Sequence, residues 1–213
     1  MDRAAEIASL GELARAAFED KHHAREITIA ASRKAIQACA ASIRATHRRE
    51  YDSAEQLARE AREHIAEADE ALVGHPDVRT NGPLHDAKKE LAEAWLTLAL
   101  VRDQQLPGPD ELKIDIAPYC NGLAEAASEL RRQLLDQLRG GDLSRAETLM
   151  GAMDDIYSLL VTIDYPDGVT GGLRRTTDAL RAVLERTRGD ITTATVASRL
   201  QGAITSAQRA TGA

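Results

Sequence analysis

Apolar residues recur at the spacing of an α-helix along almost the whole of this 213-residue chain. Segments that interrupt the pattern are few and short, chiefly residues 76–83, 106–118, 140–141 and 171–172. Aromatic residues make up only 3% of the chain, so it lacks the aromatic and β-branched strands of a β-sandwich. The sequence therefore predicts an all-α protein, a single-domain bundle of about seven helices.

Turn residues and caps place the expected helices. A short helix over 2–17, interrupted near Gly11, precedes a long one over 20–46. The later helices are expected from Asp52 or Ser53 to Gly74, over 84–102, from about Pro118 to 139, from Asp142 or Ser144 to about 164, and over 173–188. We expect residues 1–190 to form one helical domain, and residues 191–213 to form a C-terminal helix or tail.

The cysteines and the hydropathy pattern bear on the cellular compartment. Cys39 and Cys120 are too few for a disulfide framework, and they are interpreted as small buried residues in a reducing compartment. The first ten residues lack the apolar core of a signal peptide, and no run of about eighteen apolar residues occurs. A cytoplasmic protein without membrane association is expected.

Charge is distributed unevenly along the chain. The overall net charge of −7 argues against a nucleic-acid partner, but residues 20–49 carry a net +5 and residues 173–213 a net +4. The intervening segment 50–172 carries −14. The two basic ends could contact phosphates, although a solvated helix face would show the same pattern. The scarcity of aromatic residues favours contacts to the nucleic-acid backbone over base stacking.

Two pairs of glutamates occur on helices rich in apolar residues. Glu90 and Glu93 are three residues apart, and the segment LAEAWLTLALV at 91–101 is apolar nearly all the way round, which predicts a buried helix. Glu125 and Glu129 share a face of the next long helix. If the two faces meet, four carboxylates converge, which suits a hard divalent cation. Alternatively, these are ordinary surface glutamates, with Glu129 paired to Arg132.

Other catalytic patterns are missing from the sequence. No H-E-x-x-H, G-x-S-x-G or phosphate-binding glycine motif occurs, and only Glu19 and His22 have the Glu-x-x-His spacing of a ferritin-like di-metal site. The six histidines lie mostly among polar residues, which favours surface positions over metal ligation.

Four segments together resemble the translin family, in order and spacing, over about residues 18–190. They are REITIAASRKAIQACAASIRATHR, LHDAKKELAEAWLTLAL, PYCNGLAEAASELRR and GGLRRTTDALRAVLERTRGDI. Within the family, the sequence resembles the archaeal members, which have a single type of subunit. The resemblance implies a helical bundle that assembles into a hollow homo-octamer with nucleic acid on its inner wall.

The family has a binding branch and a catalytic branch, and the acids of this chain resemble the catalytic one, translin-associated factor X. Its E-x-x-E-A pattern matches residues 90–94, and its G-x-x-[D/E]-x-x-x-E pattern matches residues 122–129. Glu125 is the most discriminating position, since translin itself has an apolar residue there. The resemblance implies that Glu90, Glu93, Glu125 and Glu129 are catalytic and hold Mg²⁺ or Mn²⁺.

The resulting hypothesis is a Mg²⁺-dependent endoribonuclease that acts on single-stranded RNA. The leading candidates for phosphate contacts are Lys21, Arg25, Arg33 and Lys34. The alternative is a non-catalytic protein that binds single-stranded DNA or RNA, as translin does. A helical scaffold without a nucleic-acid partner is the third possibility.

Overall fold

The structure, a computed structural model, describes residues 2–75, 77–78 and 82–211, and within these ranges every regular element is a helix. The helices are α1 (Arg3–His47), α2 (Tyr51–Ala71), α3 (Pro83–Val101), α4 (Pro109–Leu112), α5 (Ile116–Gly140), α6 (Leu143–Leu160), α7 (Asp167–Thr170) and α8 (Leu173–Thr211). The all-α prediction is confirmed.

The first helix differs from the sequence prediction, because α1 continues through Gly11 and through residues 18–19 without a break. A glycine inside a helix costs only about 1 kcal/mol relative to alanine, and the neighbouring residues are good helix formers. The Asp2 carboxylate caps the helix by accepting a hydrogen bond from the Ala4 amide at 3.0 Å. The expected interruption near Gly11 is therefore wrong, and one helix of 45 residues replaces two.

The C-terminal segment likewise continues an existing helix. α8 runs from Leu173 to Thr211, so the expected boundary between residues 190 and 191 falls inside it. The C-terminal part projects from the bundle and leaves apolar side chains in solvent, including Val196, Leu200 and Ile204. Residues 191–211 are thus helical and continuous with the residues before them in α8.

Smaller differences concern the connections. The segment 106–118 contains the short helix α4, and α5 begins at Ile116, two residues before Pro118. α6 ends at Leu160, earlier than expected, and its N-cap is Asp142, whose carboxylate accepts from the Arg145 amide at 2.9 Å.

α3 is the central helix of the bundle, packed between α1 and α5, while α2 covers α1 and both α6 and α8 cover α5. Leu91, Ala92, Ala94 and Leu96 of α3 are fully buried, which confirms the prediction from its apolar sequence. Alanines 31, 35 and 38 of α1 are buried in the core, and their short side chains allow α1 to pack closely against its neighbours. Both cysteines are free and buried, as expected.

Within the described ranges, none of the helices has the length and apolar character required to traverse a lipid bilayer.

Candidate metal centre between α3 and α5

The helices α3 and α5 touch backbone to backbone at Gly122. A Cβ atom added there would lie 2.6 Å from the Lys89 carbonyl oxygen, 2.6 Å from Ala92 Cβ and 2.9 Å from the Glu93 amide nitrogen. All three distances are shorter than real side chains tolerate. Only glycine therefore fits, and its absent side chain allows Glu125, one turn further along α5, to meet Glu90 and Glu93 of α3.

Three of the four predicted glutamates converge at this contact. One carboxylate oxygen from each of Glu90, Glu93 and Glu125 lies within 4.8 Å of the other two. We call these three residues the carboxylate cluster. Glu129, the fourth predicted acid, lies outside this group, although its charge still affects Glu93.

Glu93 is the most buried member of the carboxylate cluster, with only 9% of its surface exposed. Its carboxylate makes no hydrogen bond or ion pair with any residue that the structure describes. Burial, followed by repulsion from Glu90, Glu125 and Glu129, raises the pKa of Glu93 to about 9. Such a group is neutral at pH 7 in the metal-free protein, and a cation would have to displace its proton.

The other two carboxylates share a positive neighbour. Lys89 Nζ donates to Glu125 Oε1 at 2.8 Å, lies 2.7 Å from Glu125 Oε2, and is 3.4 Å from Glu90 Oε1. Burial lowers the pKa of Lys89, but the hydrogen bond and charges of Glu125 and Glu90 outweigh burial and raise it. For Glu90, burial dominates and raises the pKa, with Lys89 opposing the shift.

Glu129 is bound to a histidine that was expected at the surface. His47, in the last turn of α1, has a side chain only 2% exposed, and its Nε2 lies 2.6 Å from Glu129 Oε2. Gln133 Nε2 is 3.3 Å from His47 Nδ1, an arrangement in which Gln133 donates to Nδ1 and His47 Nε2–H donates to Glu129. The surface interpretation of His47 is wrong, and so is the alternative pairing of Glu129 with Arg132.

The sequence does contain a signal for the burial of His47. It follows Cys39 and Ile43 at intervals of four residues, so it continues their face of α1. Its polar neighbours Thr46 and Arg48 obscured this periodicity.

The four predicted phosphate-binding residues do not form a single stripe on α1. Lys21 is paired with Asp77 at 2.5 Å, and Arg25 with Glu26 at 2.8 Å. Arg33 and Lys34 are exposed and have no ion pair in the part of the chain that the structure describes. Helical geometry separates these two by about 100° around the axis, so they face different directions.

Comparison with known proteins identifies relatives of this fold. No family model matches the chain. An uncharacterised protein of Methanocaldococcus jannaschii is 33% identical over 176 residues, which is 82% of this chain and 78% of that protein.

Solved structures of C3PO proteins have the same fold. The AfC3PO complex with duplex RNA has a TM-score of 0.80 at 32% identity, over 87% of this chain and 96% of that one. The crystal structure of AfC3PO has a TM-score of 0.79 at 32% identity, over 87% and 97%. Apo-NeC3PO, at 21% identity, shares the fold with a TM-score of 0.74 over 87% and 96%.

The agreement extends over most of each chain. A 33% identical relative and a common helical architecture with the C3PO structures show that this chain belongs to the translin family.

Proposed function

We propose that the protein is a Mg²⁺-dependent endoribonuclease that cleaves single-stranded RNA at the carboxylate cluster. The observation that carries the proposal is the buried Glu93 carboxylate, unpaired and facing two further carboxylates within 4.8 Å. A fold maintained only for stability gains nothing from this arrangement, because a buried acid without a partner costs free energy. Perturbed acids of this kind are typical of functional sites.

The donor set fits a hard divalent cation. Three carboxylates on two rigid helices offer oxygen ligands only, which Mg²⁺ and Mn²⁺ prefer, and no soft sulfur or imidazole ligand is among them. Mg²⁺ bound there would activate the attacking water and neutralise charge that develops on the scissile phosphate. Glu90, Glu93 and Glu125 are the proposed ligands.

Glu129 has a different proposed role in the same centre. Its hydrogen bond with His47 fixes one carboxylate oxygen, while 36% of its side chain remains exposed. We assign it to the outer edge of the site, where it can accept a hydrogen bond from the attacking water and so orient it. This differs from the expectation that all four acids bind metal directly.

RNA is the proposed substrate because of the family and the charges near the site. AfC3PO has been solved with duplex RNA, which supports a nucleic-acid partner for its relatives. Arg33 lies six residues before Cys39, about 9 Å along α1. Burial raises the pKa of the Cys39 thiol, and the nearby charges of Glu90 and Glu93 raise it further. The unpaired side chains of Arg33 and Lys34 are therefore the stronger candidates for phosphate contacts, and Lys21 and Arg25 the weaker ones.

The direct test is cleavage of end-labelled single-stranded RNA by the purified protein in Mg²⁺ and in EDTA, with a duplex of the same sequence in parallel. We expect internal cleavage of the single strand in Mg²⁺ and none in EDTA. Cleavage that persists in EDTA would contradict the metal mechanism, and preferential cleavage of the duplex would contradict the assigned substrate.

The alternative function is binding of single-stranded DNA or RNA without turnover, as in translin. The exposed Arg33 and Lys34 favour it independently of the acids. It predicts affinity that falls steeply with salt and no product in Mg²⁺ or Mn²⁺.

We also propose that the chain acts as a homo-oligomer, with eight copies as the expected assembly. The N-terminal part of α1 exposes Ile7, Leu10, Leu13 and Phe18, each at least 63% accessible, and the end of α8 exposes three more apolar residues. Apolar rows on projecting helices of this length are typical of subunit interfaces. Light scattering tests this proposal, and a monomer at micromolar concentration would contradict it.

A further inference from the structure

Lys89 is a positive side chain in contact with two of the three acids of the carboxylate cluster, Glu125 and Glu90. Its Nζ is within 2.8 Å of both oxygens of Glu125 and 3.4 Å from Glu90. The side chain is 22% exposed, so the ammonium is largely withdrawn from solvent. Because Lys89 contacts both Glu125 oxygens, a metal ion bound to Glu125 would lie near the Lys89 ammonium, and the two positive charges would repel each other.

The formal charges of the carboxylate cluster and Lys89 are balanced when one divalent ion is bound. Three ionised carboxylates carry three negative charges, and Lys89 together with one divalent cation carries three positive charges. A second divalent ion would leave an excess of positive charge among groups that are partly buried, which is unfavourable. Glu129 keeps its own negative charge, because a neutral His47 donates to it, but its carboxylate lies outside the carboxylate cluster and is not counted in this balance.

We propose that the Lys89 ammonium takes the place of a second cation in the carboxylate cluster, so that the centre holds one divalent ion per chain and binds it more weakly than the carboxylates alone would. Lys89 is thus a residue that determines the metal content of the centre. This inference rests on the metal site of the proposed function, but it concerns metal binding and needs no RNA.

The test is isothermal titration of the metal-free protein with Mn²⁺, comparing wild type with Lys89→Met and Lys89→Arg. Met has nearly the length of Lys without the charge, and Arg retains the charge. We expect one ion per chain in the wild type. Lys89→Met should bind Mn²⁺ at least about tenfold more tightly or bind a second ion, because the competing charge is gone.

Two controls separate charge from folding. Lys89→Arg should stay within about threefold of the wild-type affinity if charge is decisive, and so should Lys113→Met, which removes an exposed lysine outside the centre. In parallel, Mn²⁺ should raise the unfolding temperature of Lys89→Met more than that of the wild type.

The proposal is overturned if Lys89→Met binds Mn²⁺ with unchanged or lower affinity and unchanged stoichiometry, or if the wild type binds two ions. A lack of any Mn²⁺ binding by either protein also overturns it. A wild type that binds one ion but cleaves no RNA would contradict the proposed function while leaving the role of Lys89 intact, so the two failures are distinguishable.

Discussion

Glu93→Gln is expected to reduce Mg²⁺-dependent RNA cleavage by at least about 100-fold, since changes even to residues behind metal ligands commonly cost 10- to 100-fold. Gln has nearly the shape of Glu but cannot supply a negative ligand at the most buried position of the carboxylate cluster. Initial rates at saturating Mg²⁺, measured on the same labelled RNA, provide the comparison. Glu125→Gln should show a loss of similar size.

Stability measurements distinguish the loss of a metal ligand from misfolding of the Glu93→Gln variant. Folding of the metal-free protein raises the pKa of Glu93 to about 9. Glu93 therefore lowers the free energy of unfolding at any pH above the ordinary pKa of a glutamate, because the unfolded chain releases this proton more readily than the folded one. Removing the ionisable group should leave the metal-free fold at least as stable as the wild type at pH 8. Glu147→Gln, at an exposed position on α6, is the matched control and should retain full activity. Activity of Glu93→Gln within a few-fold of the wild type would eliminate Glu93 as a ligand.

Gly122→Ala should destabilise the protein by about 2 kcal/mol or more, because overpacking a well-packed contact typically costs 1–3 kcal/mol. The added Cβ would meet two backbone atoms of α3, and backbone cannot move aside as a flexible side chain can. The separation of α3 from α5 would also move Glu125 away from Glu90 and Glu93. Urea unfolding should show the loss of stability, and titration with Mn²⁺ should show weaker binding.

Alanine has a higher helix propensity than glycine, which by itself would stabilise the Gly122→Ala variant. A glycine at an open helical position therefore serves as the control. In an open helical position, replacing glycine with alanine stabilises by about 0.5–1 kcal/mol. Gly151 of α6 is such a position, with nothing within 4 Å of an added Cβ, so Gly151→Ala should be neutral or stabilising. Equal stabilities for Gly122→Ala and Gly151→Ala would show that α3 and α5 do not touch as described.

Much of the fold follows from helical periodicity, which identified the core face of α3 and the paired acids on α3 and α5. The predicted helix boundaries were wrong where they rested only on the identity of a residue that disfavours helices. Gly11 and the Ala- and Thr-rich end of the chain are tolerated within α1 and α8, because neighbouring residues with good helix propensity propagate the helix through them.

The acids of the candidate site were predictable from the sequence, but their partners Lys89 and His47 were not. Spacing places Glu90 near Glu93 and Glu125 near Glu129, and the family resemblance places the two pairs together. Lys89 was missed, because residues adjacent in a helix do not face each other, and its role depends on reaching across to Glu125 of α5. His47 was missed for a similar reason, since its partner Glu129 is 82 residues away.

The most direct measurement is a crystal structure of the protein soaked with Mn²⁺, with the ion located by its anomalous scattering. We predict a single peak between α3 and α5, about 2.0–2.2 Å from carboxylate oxygens of Glu90, Glu93 and Glu125, the range expected for small hard divalent cations. A peak elsewhere, or no peak in crystals of a protein that cleaves RNA in Mn²⁺, would contradict the assignment of the carboxylate cluster as the catalytic centre.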